Sequence, residues 1–107
     1  MSRGVKNMKI FLITMFEDLS SEEGFLRKAS RAVGFYGSLH EAEIAITNNY
    51  GDIRECLYDY AVLEEITEGL YPCPLNRKVY KFNEKTGKYH PIPEPKYLKH
   101  IYGMTIG

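Results

Sequence analysis

The chain of 107 residues has no tryptophan, two cysteines, three histidines and no excess of either charge. Each shortage removes a class of function. Cys56 and Cys73 form no C-x-x-C pair and have no histidine at zinc-ligand spacing, so the sequence carries neither a disulfide framework nor a structural zinc motif. Fourteen bases against fourteen acids argue against a duplex nucleic-acid binder, whose domain is normally net basic. No apolar stretch approaches the roughly 20 residues that a spanning helix needs, so no membrane partner is expected. Residues Met8 to Phe16 accompany Arg3, Lys6 and Lys9 in the manner of a signal peptide. The run is short, however, is broken by Thr14, and has no small-residue cleavage site before Glu17. It is read as a buried strand, and the protein as cytoplasmic.

What is present is ordinary in amount and uneven in arrangement. Hydrophobic residues make up 44% and charged residues 26%, the composition of a single soluble domain spanning residues 1–107 with a polar, frayed start over 1–7. Nine tyrosines supply large apolar area with a polar tip, which suits a half-wet sheet face or a binding surface. The charges segregate: residues 1–37 hold six bases and four acids, 38–70 one base and eight acids, and 71–107 seven bases and two acids. An acidic middle and a basic end that face one another, within the fold or between subunits, account for this more simply than a nucleic-acid patch.

The expected fold class is α+β, a mostly antiparallel sheet of about five or six strands with one main helix packed on a face. Met8 to Phe16 forms the first, interior strand, and Glu17 to Gly24 an exposed turn. A second strand runs from about Phe25 to Tyr36. At Gly37-Ser38 the period changes. Ser38 is a good N-cap with Glu41 three residues later, and Leu39, Ala42, Ala45 and Ile46 recur at helical spacing. Asn48-Asn49-Tyr50-Gly51 ends this helix with residues that tolerate the left-handed conformation. Tyr60 to Ile66 alternates as a strand, with Tyr60, Val62, Glu64 and Ile66 on one side and Ala61, Leu63 and Glu65 on the other. Lys78 to Asn83 and Lys88 to Ile92 flank Glu84-Lys-Thr-Gly87, a hairpin with glycine where φ must be positive. Tyr97 to Ile106 is a candidate edge strand.

Motifs for chemistry are sparse. Gly34-Phe-Tyr-Gly37 before a helix lacks the second glycine of a dinucleotide fingerprint, and Ser38 there is explained as a cap. His40 and Glu43 have i, i+3 spacing on the exposed helix face, but one pair is not a metal site. Neither cysteine sits in a nucleophile motif, and Glu64 and Glu65, adjacent in a strand, point to opposite faces. No cofactor, metal or catalytic residue is expected. Binding is left. Tyr36, Tyr50, Tyr58, Tyr60, Tyr71 and Tyr80 are dispersed among Arg27, Arg31, Arg54, Arg77 and Lys78, the residue types that stack on bases and neutralise phosphates. The polar joint after the helix is the first place to look for a pocket. Its candidate ligand-binding residues are Asn49, Asp52, Arg54, Tyr58 and Tyr60, with Tyr36 alongside.

The runs Gly34-Phe-Tyr-Gly-Ser-Leu-His-Glu-Ala-Glu-Ile-Ala-Ile46, Asp52-Ile-Arg-Glu-Cys56, Tyr60-Ala-Val-Leu-Glu64 and Val79-Tyr-Lys-Phe-Asn83 resemble small uncharacterised proteins of Gram-positive bacteria and their phages. In size, in its tyrosine and arginine content and in the lack of catalytic motifs, the chain is also similar to phage sponge proteins that sequester nucleotide-type immune signals. That resemblance implies a non-catalytic homo-oligomer that binds a cyclic-nucleotide or ADP-ribose-type anion; at the joint after the helix, Arg54 is expected to meet phosphate and Tyr58 or Tyr60 to stack on a base. The alternative is a protein-interaction module, an inhibitor or adaptor that uses the acidic middle segment or an exposed strand edge.

Overall fold

The computed structural model describes residues 9–21, 23, 30–49, 58–67 and 76–100, with the side chains of 99 and 100 left out of the description. Five strands form one antiparallel sheet: β1 (Lys9–Phe16), β2 (Ser30–Tyr36), β3 (Tyr60–Thr67), β4 (Asn76–Asn83) and β5 (Lys88–Ile92). Their order is β2-β1-β3-β4-β5, which leaves β2 and β5 at the edges. The helix α1 (Leu39–Thr47) follows β2, and a 3₁₀ turn (Lys96–His100) follows β5. The fold class is therefore α+β. No helix of the described residues is long and apolar enough to cross a membrane.

Because strand side chains alternate, the register sorts the sheet into two faces. Phe11, Ile13, Met15, Ala61, Leu63, Tyr80 and Tyr89 belong to one, the Met15 face, where Ala42, Ala45 and Ile46 of α1 join the same buried cluster. Phe16, Val62 and Val79 belong to the other, the Phe16 face, and cluster with Leu19 from the loop after β1 and Leu98 from the 3₁₀ turn. The alternation read in Tyr60–Ile66 is the one observed.

Local signals act where they were expected. Ser38 is the N-cap of α1 in extended backbone conformation, its Oγ accepting from the Glu41 N–H at 3.4 Å. Asn48 donates its N–H to the Ile44 carbonyl at 3.0 Å, and Asn49 then takes φ 52°, the left-handed residue that ends the helix. In the β4–β5 hairpin Gly87 has φ 71°, and its N–H donates to the Asn83 carbonyl at 2.8 Å.

Two expectations change and one is beyond the described residues. The second strand is described only from Ser30, so its proposed start at Phe25 lies outside the described residues. Residues 96–100 form a 3₁₀ turn instead of the start of a last strand, because Arg77 and the Leu19 loop hold that segment over the Phe16 face; residues 101–106 lie outside the described residues. Leu39, expected on the buried side of α1, is 39% exposed, since it occupies the first turn at the margin of the sheet.

Candidate functional site

The largest polar cluster in the described core was not foreseen. Glu64 on β3 is wholly buried and stands directly opposite Arg77 on β4. The guanidinium donates to Glu64 Oε2 from Nε at 3.2 Å and from Nη2 at 3.1 Å. Nη1 donates to Glu94 Oε2 at 3.4 Å and to the Leu98 carbonyl at 2.6 Å. A buried carboxylate survives only when paired and hydrogen-bonded, and here Nε, Nη1 and Nη2 of the arginine are all engaged. The cluster ties β3 and β4 to the chain beyond β5. The sequence hint was the Glu64-Glu65 pair preceding Arg77-Lys78, but the pairing depends on the β3–β4 register.

The acidic middle and the basic end do meet. Glu65 accepts from Asn76 Nδ2 at 2.8 Å and pairs with Lys9 at 3.2 Å. These contacts, the Asn76 amide first, hold the Glu65 carboxyl below its ordinary range. Glu43 of α1 pairs with Lys78 and accepts a longer contact, 3.4 Å, from the Tyr80 hydroxyl. Burial, and then the negative charge of Glu43, raise the Tyr80 phenol above its usual value. Glu43 is thus engaged across the sheet rather than with His40, and among the described residues no three His, Cys, Asp or Glu side chains converge on a metal-sized site.

The sequence-derived binding residues separate. Asp52 and Arg54 lie outside the described residues. Tyr58 is 9% exposed and belongs to the Met15-face cluster, with its carbonyl accepting from the Tyr89 hydroxyl at 2.6 Å. Tyr36 packs half-buried against that same cluster. Asn49 serves as the left-handed helix terminus described above. Tyr60 is on the other face, half-buried against Phe16, Val62 and Leu98. The structure therefore brings Tyr36 and Tyr58 to one side of the sheet and Tyr60 to the other.

Around Tyr60 a different set of residues gathers. Tyr60 is the registered partner of Lys81, and Lys81 of His90, so the three stand side by side across β3, β4 and β5. Lys81 Nζ lies 5.8 Å from the centre of the Tyr60 ring, a cation–π distance. Beside this rung is an open depression of about 500 Å³ whose walls include Lys81, Asn83, Glu84, Lys85 and His90, with Ile92 beneath. Asn83 Oδ1 accepts from the Lys85 N–H at 2.8 Å, and the Thr86 hydroxyl lies 2.8 Å from His90 Nε2, which fixes the turn against the strand.

Two other hollows are weaker candidates. One of about 160 Å³, floored by Phe11, Leu39 and Leu63, falls below the roughly 300–1,000 Å³ of small-molecule sites. One of about 310 Å³ includes Arg77 and Lys78, but those cations are already paired to Glu64, Glu94 and Glu43. In the hairpin depression, by contrast, Lys81 stands against the Tyr60 ring. Its signal was legible in part: the hairpin and its turn length imply the β4–β5 register, which aligns Lys81 with His90. The partnership with Tyr60 needed the β3–β4 pairing. Compared with protein-family models, curated proteins and solved structures, the chain matches none.

Proposed function

We propose that the protein is a non-catalytic binding protein for a small anionic ligand, held on the Phe16 face of the β4–β5 hairpin. The observation that carries this reading is the Tyr60–Lys81–His90 rung beside a depression of suitable size. Lys81 and Lys85 supply ammonium donors to a phosphate or carboxylate, and the Tyr60 ring offers an apolar surface beside them. Charged side chains at a site this open remain largely hydrated, so the expected affinity is micromolar rather than nanomolar. The similarity to phage sponge proteins makes cyclic nucleotides and ADP-ribose derivatives the first ligands to try, and sequestration of such a signal the role to test.

Titration calorimetry against cyclic dinucleotides, ADP-ribose and pyrophosphate tests the reading. Binding of at least one is expected, weakened at least tenfold in the Lys81→Ala/Lys85→Ala variant. Absence of heat with every ligand at micromolar concentration, or binding that the double variant leaves intact, sinks it. A second reading, a protein-interaction module, is favoured by the exposed β2 edge, where Phe35 is 63% and Val33 39% exposed.

A further inference from the structure

The two edges of the sheet are unlike. On β5 the outer strand carries Lys88, His90 and Pro91; proline has no N–H to offer and the charges resist a neighbour, the usual protection of a strand edge. On β2 the sequence Ser-Arg-Ala-Val-Gly-Phe-Tyr has one charge and no proline. Among the described residues no strand pairs with its outer side. The exposed large hydrophobics of the described residues, Val33, Phe35 and Leu39, all lie on this strand or just after it. With the outer side of β2 unpaired among the described residues and β5 protected, copies cannot add head to tail. The pairing between copies that remains is β2 with β2, which closes at two.

The register supplies the fit. Ile13 pairs with Gly34 and Thr14 with Ala32, so Val33 is the extra residue of a bulge. The strand changes phase there: Arg31, Gly34 and Tyr36 belong to the Met15 face, Ala32 and Phe35 to the Phe16 face. Antiparallel two-fold pairing centred on Gly34 keeps the faces of the two copies matched. It sets Ala32 opposite Phe35 and Arg31 opposite Tyr36, so the one cation of the strand meets an aromatic ring and never another cation. Within one chain a Cβ at Gly34 meets no atom within 4 Å, so this position accepts a side chain and is a convenient probe of the pairing.

We propose that the β2 edge is a homodimer interface, with two copies of the chain joined by antiparallel β2–β2 pairing about Gly34 into one continuous sheet. The test uses the full chain in sedimentation equilibrium and in cross-linking. Wild type is expected at twice the 12.4 kDa chain mass. Gly34→Lys, which has room in the single chain but sets two ammonium groups together on the axis, is expected to run as a monomer with an unchanged circular dichroism spectrum. Gly34→Cys, made with Cys56→Ser and Cys73→Ser, is expected to cross-link to itself on mild oxidation, because directly opposed strand residues lie at disulfide distance. A wild-type monomer at every concentration, a dimer that survives Gly34→Lys, or a Gly34→Cys chain that stays uncross-linked each overturns the proposal. The first of these outcomes would reassign the edge to an extended segment of another protein. Ligand titration of the Gly34→Lys monomer separates this inference from the proposed function, since the hairpin depression is three strands away.

Discussion

The two faces of the sheet are held by different physics. The Met15 face is mainly apolar packing: Ala42, Ala45 and Ile46 of α1 meet Ile13, Met15, Ala61 and Leu63, while the hydroxyls of buried Tyr89 and Tyr80 donate to the Tyr58 carbonyl and to Glu43. The Phe16 face has a smaller apolar cluster and is closed by polar ties. Arg77 reaches Glu64, Glu94 and the Leu98 carbonyl, and the Tyr97 hydroxyl donates to the Leu19 carbonyl at 2.7 Å. Hydrophobic contact is tolerant of small volume changes, whereas a buried ion pair is sensitive to the loss of either member. The faces should therefore differ in how sharply they respond to single substitutions.

The largest effect is expected from Arg77→Ala, which strands the Glu64 carboxylate in the interior and costs about 3–5 kcal/mol in a denaturant titration. Replacing both members, Glu64→Leu with Arg77→Met, should restore most of that loss; a double variant no better than the single one would show that the pair does more than balance its own charge. On the Met15 face, Tyr89→Phe leaves the buried Tyr58 carbonyl without its phenolic donor and should cost about 1–3 kcal/mol. Next comes Ile46→Val, one methylene from the buried side of α1, with about 0.5–1.5 kcal/mol expected. A loss there as large as that of Arg77→Ala would erase the contrast between the faces.

Two smaller effects sharpen it. Thr14, 2% exposed on the Phe16 face, has a buried hydroxyl without a partner among the described residues, so Thr14→Val should raise stability by about 1 kcal/mol. On the opposite face, the depressed Glu65 carboxyl contributes stability that is whole above the unfolded carboxyl range and is lost as pH falls through the folded value. Asn76→Ala should shrink this acid-side loss without moving stability's dependence on pH near neutrality. An unchanged acid limb in that variant would mean that Lys9, rather than Asn76, sets the shift.

Much of the architecture was legible because its causes are local. The Ser38 cap, the helical recurrence of Ala42, Ala45 and Ile46, the alternation of Tyr60 to Ile66 and the Gly87 turn each need only neighbours in sequence. The candidate site was legible only in fragments. Tyr60 was singled out as a residue able to stack, but Tyr58, two positions earlier, was grouped with it although it packs into the opposite cluster. Alternation inside a strand says nothing about a residue just before it, where the backbone leaves the ladder. Lys81, Lys85 and His90 were placed in the hairpin but not singled out as binding residues.

By itself, then, the sequence determined the kind of each element, the face that each side chain of a strand takes relative to its neighbours, and the exclusion of zinc, disulfide and nucleotide-loop motifs. The tertiary structure decided which strands are neighbours. Strand order and register put Glu64 opposite Arg77, lined up Tyr60, Lys81 and His90, and set β2 at one edge of the described sheet. Period-2 alternation is a property of one strand, whereas pairing is a property of two, set by burial summed over the whole sheet.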